Sequence, residues 1–216
     1  MKTDITVVLD RSGSMHAIAR DVVTGLNTFV RKQQAVEGQA WFTLVQFDDE
    51  YDVVHFRVPI ADVPPLTRRT YVPRGSTALL DAIGRAILDI GARIDGLAPD
   101  QRPDQIVFAV ATDGQENSSH AFTRRQVFEM IRQREKAGAH AAPTWEFIFL
   151  AANQDAIAEG GHMGFDAARS VDFDADGRGV HVAMSLMHDK VAQKRRAGQA
   201  PMTFDASDRA RASRKH

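Results

Sequence analysis

The sequence predicts an α/β fold: a Rossmann-like, mostly parallel central sheet with one antiparallel edge strand and helices on both faces. Three observations carry this. Short apolar runs alternate along the chain with longer stretches whose apolar residues recur at three and four, the helical period. Several of the short runs, Thr3 to Leu9, Gln105 to Ala111 and Trp145 to Leu150, are apolar on both faces, as strands buried between helix layers are. Tyr51 to Val58 instead alternates, which marks a half-exposed antiparallel edge.

The first strand, Thr3 to Leu9, runs into Asp10. The helix Met15 to Val36 follows, with Ile18, Val22, Leu26, Phe29 and Val30 as its buried stripe and Gly38 as its stop. Trp41 to Phe47 is the second strand, and Asp48-Asp49-Glu50 turns it into the edge strand. There Val54, Phe56 and Val58 should face the core, with His55 and Arg57 on the wet side and His55 a surface residue. Pro59, Pro64, Pro65 and Pro73 make the stretch up to Arg74 a loop. Gly75-Ser76-Thr77 opens the helix Ala78 to Ile94, buried through Leu79, Leu80, Ile83, Ile87, Ile90 and Ile94. The strand Gln105 to Ala111 stops at Thr112-Asp113-Gly114. Thr123-Arg124-Arg125-Gln126 fits a capping box for a helix that reaches Lys136, with Gly138 as its stop. After Trp145 to Leu150, Asn153 is expected to cap a short helix to Met163, with Asn153-Gln154-Asp155 on the same rim as Asp10 and Asp113.

The last strand, Ala168 to Phe173, leads into the acidic run Asp172 to Gly177. Its opening imitates a calcium-binding EF-hand loop, but the twelfth position, which should be a bidentate Glu, is Ala183. The run therefore reads as a turn that starts a closing helix, buried through Val180, Met184, Met187 and Val191. The domain spans 1–196. From Ala197 the period is lost, and Gly198 and Pro201 open a basic, flexible C-terminal tail over 197–216.

With 216 residues and 44% hydrophobic content, the chain is long enough for one well-buried domain. No cysteine is present, which excludes disulfides and thiolate metal sites and is compatible with a reducing compartment. Met1-Lys2-Thr3-Asp4 leads straight into a strand, which leaves no room for a signal peptide. No apolar run approaches the roughly 20 residues of a membrane span, so the cytoplasm is the expected location and no membrane the expected partner. Net charge is −1, but the end from Met184 onward holds eight Lys and Arg against three Asp. That imbalance reads as a solvated terminus, and nucleic acid is not expected as a partner.

Function concentrates in Val7-Val8-Leu9-Asp10-Arg11-Ser12-Gly13-Ser14-Met15. Packing side chains stop abruptly at Asp10, and Asp10, Ser12 and Ser14 sit at alternate positions, from which all three can converge. One carboxylate and two hydroxyls are hard oxygen donors of the kind Mg²⁺ or Ca²⁺ takes. A plainer reading stands beside this one: Ser12 or Ser14 caps the following helix, Thr77 caps the helix Ala78 to Ile94, and Asp113 belongs to a turn. Two further oxygen clusters, Gly75-Ser76-Thr77 and Thr112-Asp113-Gly114-Gln115-Glu116-Asn117, favour the metal.

With these three pieces in order, the chain resembles the von Willebrand factor A family, of the stand-alone intracellular type, over about residues 1 to 196. The metal-ion-dependent adhesion site of that family has the form Asp-x-Ser-x-Ser, a separate Thr and a separate Asp, and Asp10, Ser12, Ser14, Thr77 and Asp113 match it one by one. The resemblance implies a divalent cation, Mg²⁺ first with Mn²⁺ or Ca²⁺ as alternatives, held by two anions and three neutral hydroxyls. Such an undercompensated ion implies a protein partner that supplies an Asp or Glu. Arg11 and His16 flank the site and are either candidates to orient that carboxylate or plain surface residues, and Asp205 and Asp208 of the tail could reach the site of another copy. A second expectation is an interaction subunit of an AAA+ ATPase, a kinase or phosphatase, or a nucleic-acid complex.

A Mg²⁺-dependent phosphoryl-transfer enzyme is the weaker alternative. Against it, the sequence has no Gly-x-x-x-x-Gly-Lys loop, no Gly-x-Gly-x-x-Gly after a strand and no second acid beside Asp10, and His120 and His162 have no nucleophile to activate. Direct catalysis is not expected.

Overall fold

A computed structural model describes residues 1–138, 143–152, 155–198 and 200–214. The strands are β1 (Lys2–Asp10), β2 (Gln39–Phe47), β3 (Tyr51–Pro59), β4 (Gln105–Thr112), β5 (Thr144–Ala152) and β6 (Ser170–Phe173). The helices are α1 (Ala19–Gln34), α2 (Leu79–Asp95), α3 (Arg124–Gly138), α4 (Ala156–His162), α5 (Gly177–Ala197) and α6 (Ala206–Ala212). The sheet order is β3-β2-β1-β4-β5-β6, parallel throughout except for the antiparallel pairing of β2 with β3. The expected Rossmann-like α/β architecture with one antiparallel edge is the one observed.

The core lies in two layers, one on each face of the sheet, so both faces of the central strands are buried, the polar Asp4, Thr6 and Asp10 of β1 included. Ile5, Val7 and Leu9 of β1 face a layer completed by α1 and α5, whereas Val8 faces α2 and α3. From β1 the chain moves outward through β2 to β3, then returns across the sheet to β4 on the other side of β1. Strand order therefore reverses between β1 and β4, and the crevice at their carboxyl ends is where open α/β sheets bind ligands.

Four expectations need correction. The segment after Asp10 enters its helix through a 3₁₀ turn, Gly13–Ile18, and α1 proper begins at Ala19. Edge strand β3 loses its alternation to register shifts opposite Phe42, Leu44 and Val45, and Arg57 takes a left-handed φ of 49°. Val53 and Phe56 are each 43% exposed as a result, while His55 is half-buried and burial holds its imidazole below the ordinary pKa. The short helix α4 is capped by Asp155, whose carboxylate accepts from the Ala158 N–H at 2.9 Å; Asn153 and Gln154 lie outside the described residues. Ala167–Arg169 form a 3₁₀ turn, so β6 starts only at Ser170.

The largest difference is the C-terminal stretch, which is packed over residues 200–214 rather than free. Met202 and Phe204 are buried, and α6 carries a reciprocal capping box between Asp205 and Asp208. The Phe204 N–H donates to the Ala168 carbonyl and the Asp174 N–H donates to the Ala212 carbonyl, so the stretch runs beside the short edge strand β6 and covers it. Its arginines are engaged within the fold: Arg209 donates to the carbonyls of Phe204 and Ala167, Arg211 pairs with Asp208, and Arg214 with Asp174 and Asp176. In α5 before it, Lys190 pairs with Asp208, Lys194 with Glu146, and Arg195 donates to the carbonyls of Gln33 in the last turn of α1 and of Val36 and Gly38 beyond it. Asp205, exposed, caps α6, and Asp208 is buried against Lys190, so neither sits on a free tail. No helix among the described residues is long and apolar enough to cross a membrane.

Candidate metal centre at the carboxyl edge of the sheet

Asp10 is the last residue of β1 and fully buried. Its Oδ1 accepts the Ser12 N–H at 2.6 Å and its Oδ2 accepts the Thr112 hydroxyl at 2.5 Å, so the two central strands hold one carboxylate between them. The chain then bends so that Ser12 Oγ lies 3.1 Å from Ser14 Oγ, and the Ser14 hydroxyl donates to Asp113 Oδ1 at 2.6 Å. Thr77 reaches the same point from the loop before α2. A Cβ built on Gly114 would lie 3.0 Å from Thr77 Oγ1, 3.4 Å from Ser14 Oγ and 3.8 Å from Asp10 Oδ2. Three oxygens from two segments thus face one small space beside the loop after β4, and glycine at 114 keeps it open. All five residues singled out in the sequence are brought together.

The capping alternatives do not describe these side chains. Ser12 precedes the 3₁₀ turn without a side-chain cap bond, its hydroxyl being directed to Ser14. The residue preceding α2 is Ala78, also without a side-chain cap. The first N–H groups of α2 are satisfied from across the site, Leu80 by Glu116 Oε2 at 2.9 Å and Asp81 by the Ser119 hydroxyl at 3.0 Å. Asn117 holds Thr77 through both its Oδ1 and its N–H. In return, Asp81 accepts the N–H groups of His120, Ala121 and Phe122. Helix α2 and the loop after β4 therefore fix each other and leave the Thr77 hydroxyl to the oxygen cluster.

A second hub, at the turn between β2 and β3, was not legible as such in the sequence. The buried Asp48 accepts from Arg11 Nε at 3.0 Å and from Arg74 Nε at 2.8 Å, and Arg74 also pairs with Glu50. Burial works to raise the Asp48 pKa, but the bonds from Arg74, the Glu50 N–H and Arg11 outweigh it and hold the carboxyl below its ordinary value. The Gly13 N–H donates to the Gly75 carbonyl, and Gly75 has a φ of +64° with Asp49 packed where a Cβ would be, so this loop contact requires glycine. Tyr71 adds a third tie, donating its hydroxyl to the Asp10 carbonyl at 2.6 Å from a fully buried position. Arg11 is thereby corrected from a flanking residue to a structural one, turned from the site toward Asp48 and Asp52. His16 is exposed on the 3₁₀ turn.

The electrostatics of the cluster are one-sided. Burial pushes the Asp10 carboxyl up to about 6; hydrogen bonds from Thr112 and Ser12 lower it, and the charge of Asp113 raises it further. Asp113 is raised as well, again first by burial. Among the described residues no arginine or lysine pairs with either carboxylate, and Arg11, next to Asp10 in the chain, is committed to Asp48. Among the described residues no group of three or more His, Cys, Asp and Glu is placed to hold a metal ion. The donors here are two carboxylates and three hydroxyls, the oxygen set that hard divalent cations take, and the cradle around Gly114 fits such an ion.

No family model and no curated protein matches the sequence. Solved structures do match. The chain is similar to proximal thread matrix protein 1 of the mussel byssus, with 16% identity and a TM-score of 0.60 over 88% of this chain and 48% of that one. A second structure of that protein, with a zinc-occupied MIDAS motif, matches at 15% identity and a TM-score of 0.59 over 88% of this chain and 48% of that one. Von Willebrand factor type A from Catenulispora acidiphila matches at 13% identity and a TM-score of 0.57, over 88% of this chain and 43% of that one. The pilus adhesin SpaC of Lactobacillus rhamnosus GG matches at 13% identity and a TM-score of 0.60, over 89% of this chain and 30% of that one. The chain spans about half or less of the length of these structures. The fold of this chain is the von Willebrand factor A fold.

Proposed function

We propose that the chain is a metal-dependent protein-recognition module. Asp10, Ser12, Ser14, Thr77 and Asp113 would hold a divalent cation, with Mg²⁺ the first candidate and Mn²⁺ or Ca²⁺ behind it. The observation that carries the reading is the oxygen cradle around Gly114, in which two carboxylates have no cationic side chain paired with them among the described residues. A zinc-occupied MIDAS motif in a structure of the same fold supports it. When bound, the cation would supply positive charge and an open position for a carboxylate. The protein's own residues do the rest. Asp10, Ser12 and Thr77 form the buried floor, and Ser14 and Asp113 form the accessible rim, so a ligand enters from the rim. Thr112 holds the Asp10 carboxylate in orientation, and Glu116, Ser119 and Asn117 hold the segment that presents Thr77.

An Asp or Glu of a protein partner is the proposed ligand. Capture of binding proteins in Mg²⁺ and in EDTA tests this: a specific partner should be retained only with metal, and lost with Ser12→Ala or Thr77→Ala. A partner that persists in EDTA with these ligands removed contradicts the reading. Turnover of phosphoesters and nucleotides is expected to be undetectable; metal-dependent hydrolysis that disappears with Asp10→Ala would instead make this an enzyme.

A further inference from the structure

Two hollows of opposite charge flank the cluster. Toward the β2–β3 turn, one of about 380 Å³ is lined by Asp49, Glu50 and Asp81 together with Arg85 and neighbouring residues. On the other flank, one of about 400 Å³ is lined by His16, Ala19, Arg68, Tyr71, Val72 and Pro73, without an acidic residue. This second hollow shares a wall with the site: the Tyr71 hydroxyl donates to the Asp10 carbonyl, and His16 lies two residues beyond Ser14.

The character of the second hollow is specific. Its inner part is apolar, formed by buried Tyr71 and Pro73, and Val72 is 51% exposed above them. Its lining holds one arginine, Arg68, and Arg69 follows it in the chain. Arg68 and its neighbour Arg69 are exposed, and no carboxylate pairs with either among the described residues, whereas Arg11 and Arg74 on the opposite flank are both tied to Asp48. An exposed valine beside two unpaired guanidinium groups is complementary to an apolar side chain next to a carboxylate.

We propose that this hollow receives the same partner segment that reaches the metal: an apolar side chain beside the metal-bound carboxylate, and a second carboxylate paired with Arg68 and Arg69. The inference rests on the reading of the site as a carboxylate-binding metal centre. It adds direction, because the acidic lining of the opposite hollow repels a doubly acidic segment and so selects one of the two ways across the site.

The test is a displayed library of seven-residue peptides with an invariant central Asp, selected on the full chain in Mg²⁺. Wild type should enrich an aliphatic or aromatic residue and a second Asp or Glu near the fixed one. The double variant Arg68→Glu/Arg69→Glu should lose the preference for the second acid by tenfold or more, and Val72→Asp should lose the apolar preference. Both variants should keep the wild-type rise in melting temperature with Mg²⁺ alone. Enrichment without the second acid, or identical peptides from wild type and variants, overturns the inference. If wild type is stabilised by Mg²⁺ yet enriches nothing, the inference falls and the metal centre stands. If neither the metal nor any peptide has an effect, both fall.

Discussion

β1 carries a buried carboxylate near each end, and the two are answered differently. At the amino edge of the sheet, Asp4 receives Arg57 Nε at 2.8 Å, and that guanidinium also lies over the Trp41 ring. At the carboxyl edge, Asp10 receives one N–H and one hydroxyl, and its charged neighbour is another acid, Asp113. Both carboxyls are pushed up to about 6, first by burial in each case. The pKa alone therefore does not distinguish them. What distinguishes them is the resident cation, present for Asp4 and absent for Asp10. A buried carboxylate with its own arginine is part of the framework, whereas one surrounded by hydroxyls and a second acid lacks that compensation, which the proposed cation would supply.

If that contrast is right, stability resides in the amino edge and the covering C-terminal stretch, and ion response in the carboxyl edge. The largest effect is expected from ending the chain at Gly198, which removes the buried Met202 and Phe204 and uncovers β6. At roughly 2 to 3 kcal/mol for each large buried side chain, urea denaturation should show a loss of about 5 kcal/mol. An unchanged midpoint would mean that the stretch does not cover the edge in solution. Next, Arg57→Met should cost about 3 kcal/mol, because it keeps the stem but leaves Asp4 buried without its partner.

Asp10→Asn should act in the opposite direction. A carboxyl raised from 3.8 to about 6 in the folded state binds its proton more tightly there than in the unfolded chain, so its contribution is most favourable below pH 3.8 and is lost as pH rises through 6. In EDTA at pH 7 the amide should therefore stabilise the protein by about 3 kcal/mol, and at pH 3.5 the gain should vanish. A loss of stability at pH 7 would show that the ionised carboxylate is well served without a cation. Smallest in stability is Gly114→Ala, whose Cβ meets Thr77 Oγ1 at 3.0 Å. Its melting temperature in EDTA should move by only a few degrees, while the stabilisation by Mg²⁺ should fall by most of its wild-type amount.

The same contrast explains what the sequence made legible. Asp10, Ser12 and Ser14 declare themselves because an apolar strand ends abruptly and the oxygen side chains then alternate, a local pattern. Thr77 and Asp113 follow similar local breaks. The supports of the site are invisible for the opposite reason. Glu116 capping a helix 36 residues earlier in the chain, Asp48 joining Arg11 to Arg74, and Tyr71 reaching the Asp10 carbonyl are long-range pairings with no periodic signature. The packing of the C-terminal stretch has no sequence signature because Met202 and Phe204 lie outside any helical or alternating pattern; they pack beside an edge strand, and two apolar residues suffice for that. At β3 the bulges around Arg57 break an alternation that the residues themselves display, which exposes Phe56.

Calorimetric titration of the chain with Mg²⁺, beside Asp10→Asn and Asp113→Ala, bears most directly on the proposed cation. Wild type is predicted to take up one ion saturably and to melt at a higher temperature in its presence, as mass action requires of a ligand that binds only the folded state, and both variants should do neither. Wild type that is indifferent to Mg²⁺, Mn²⁺ and Ca²⁺, or variants that respond as wild type does, would contradict it.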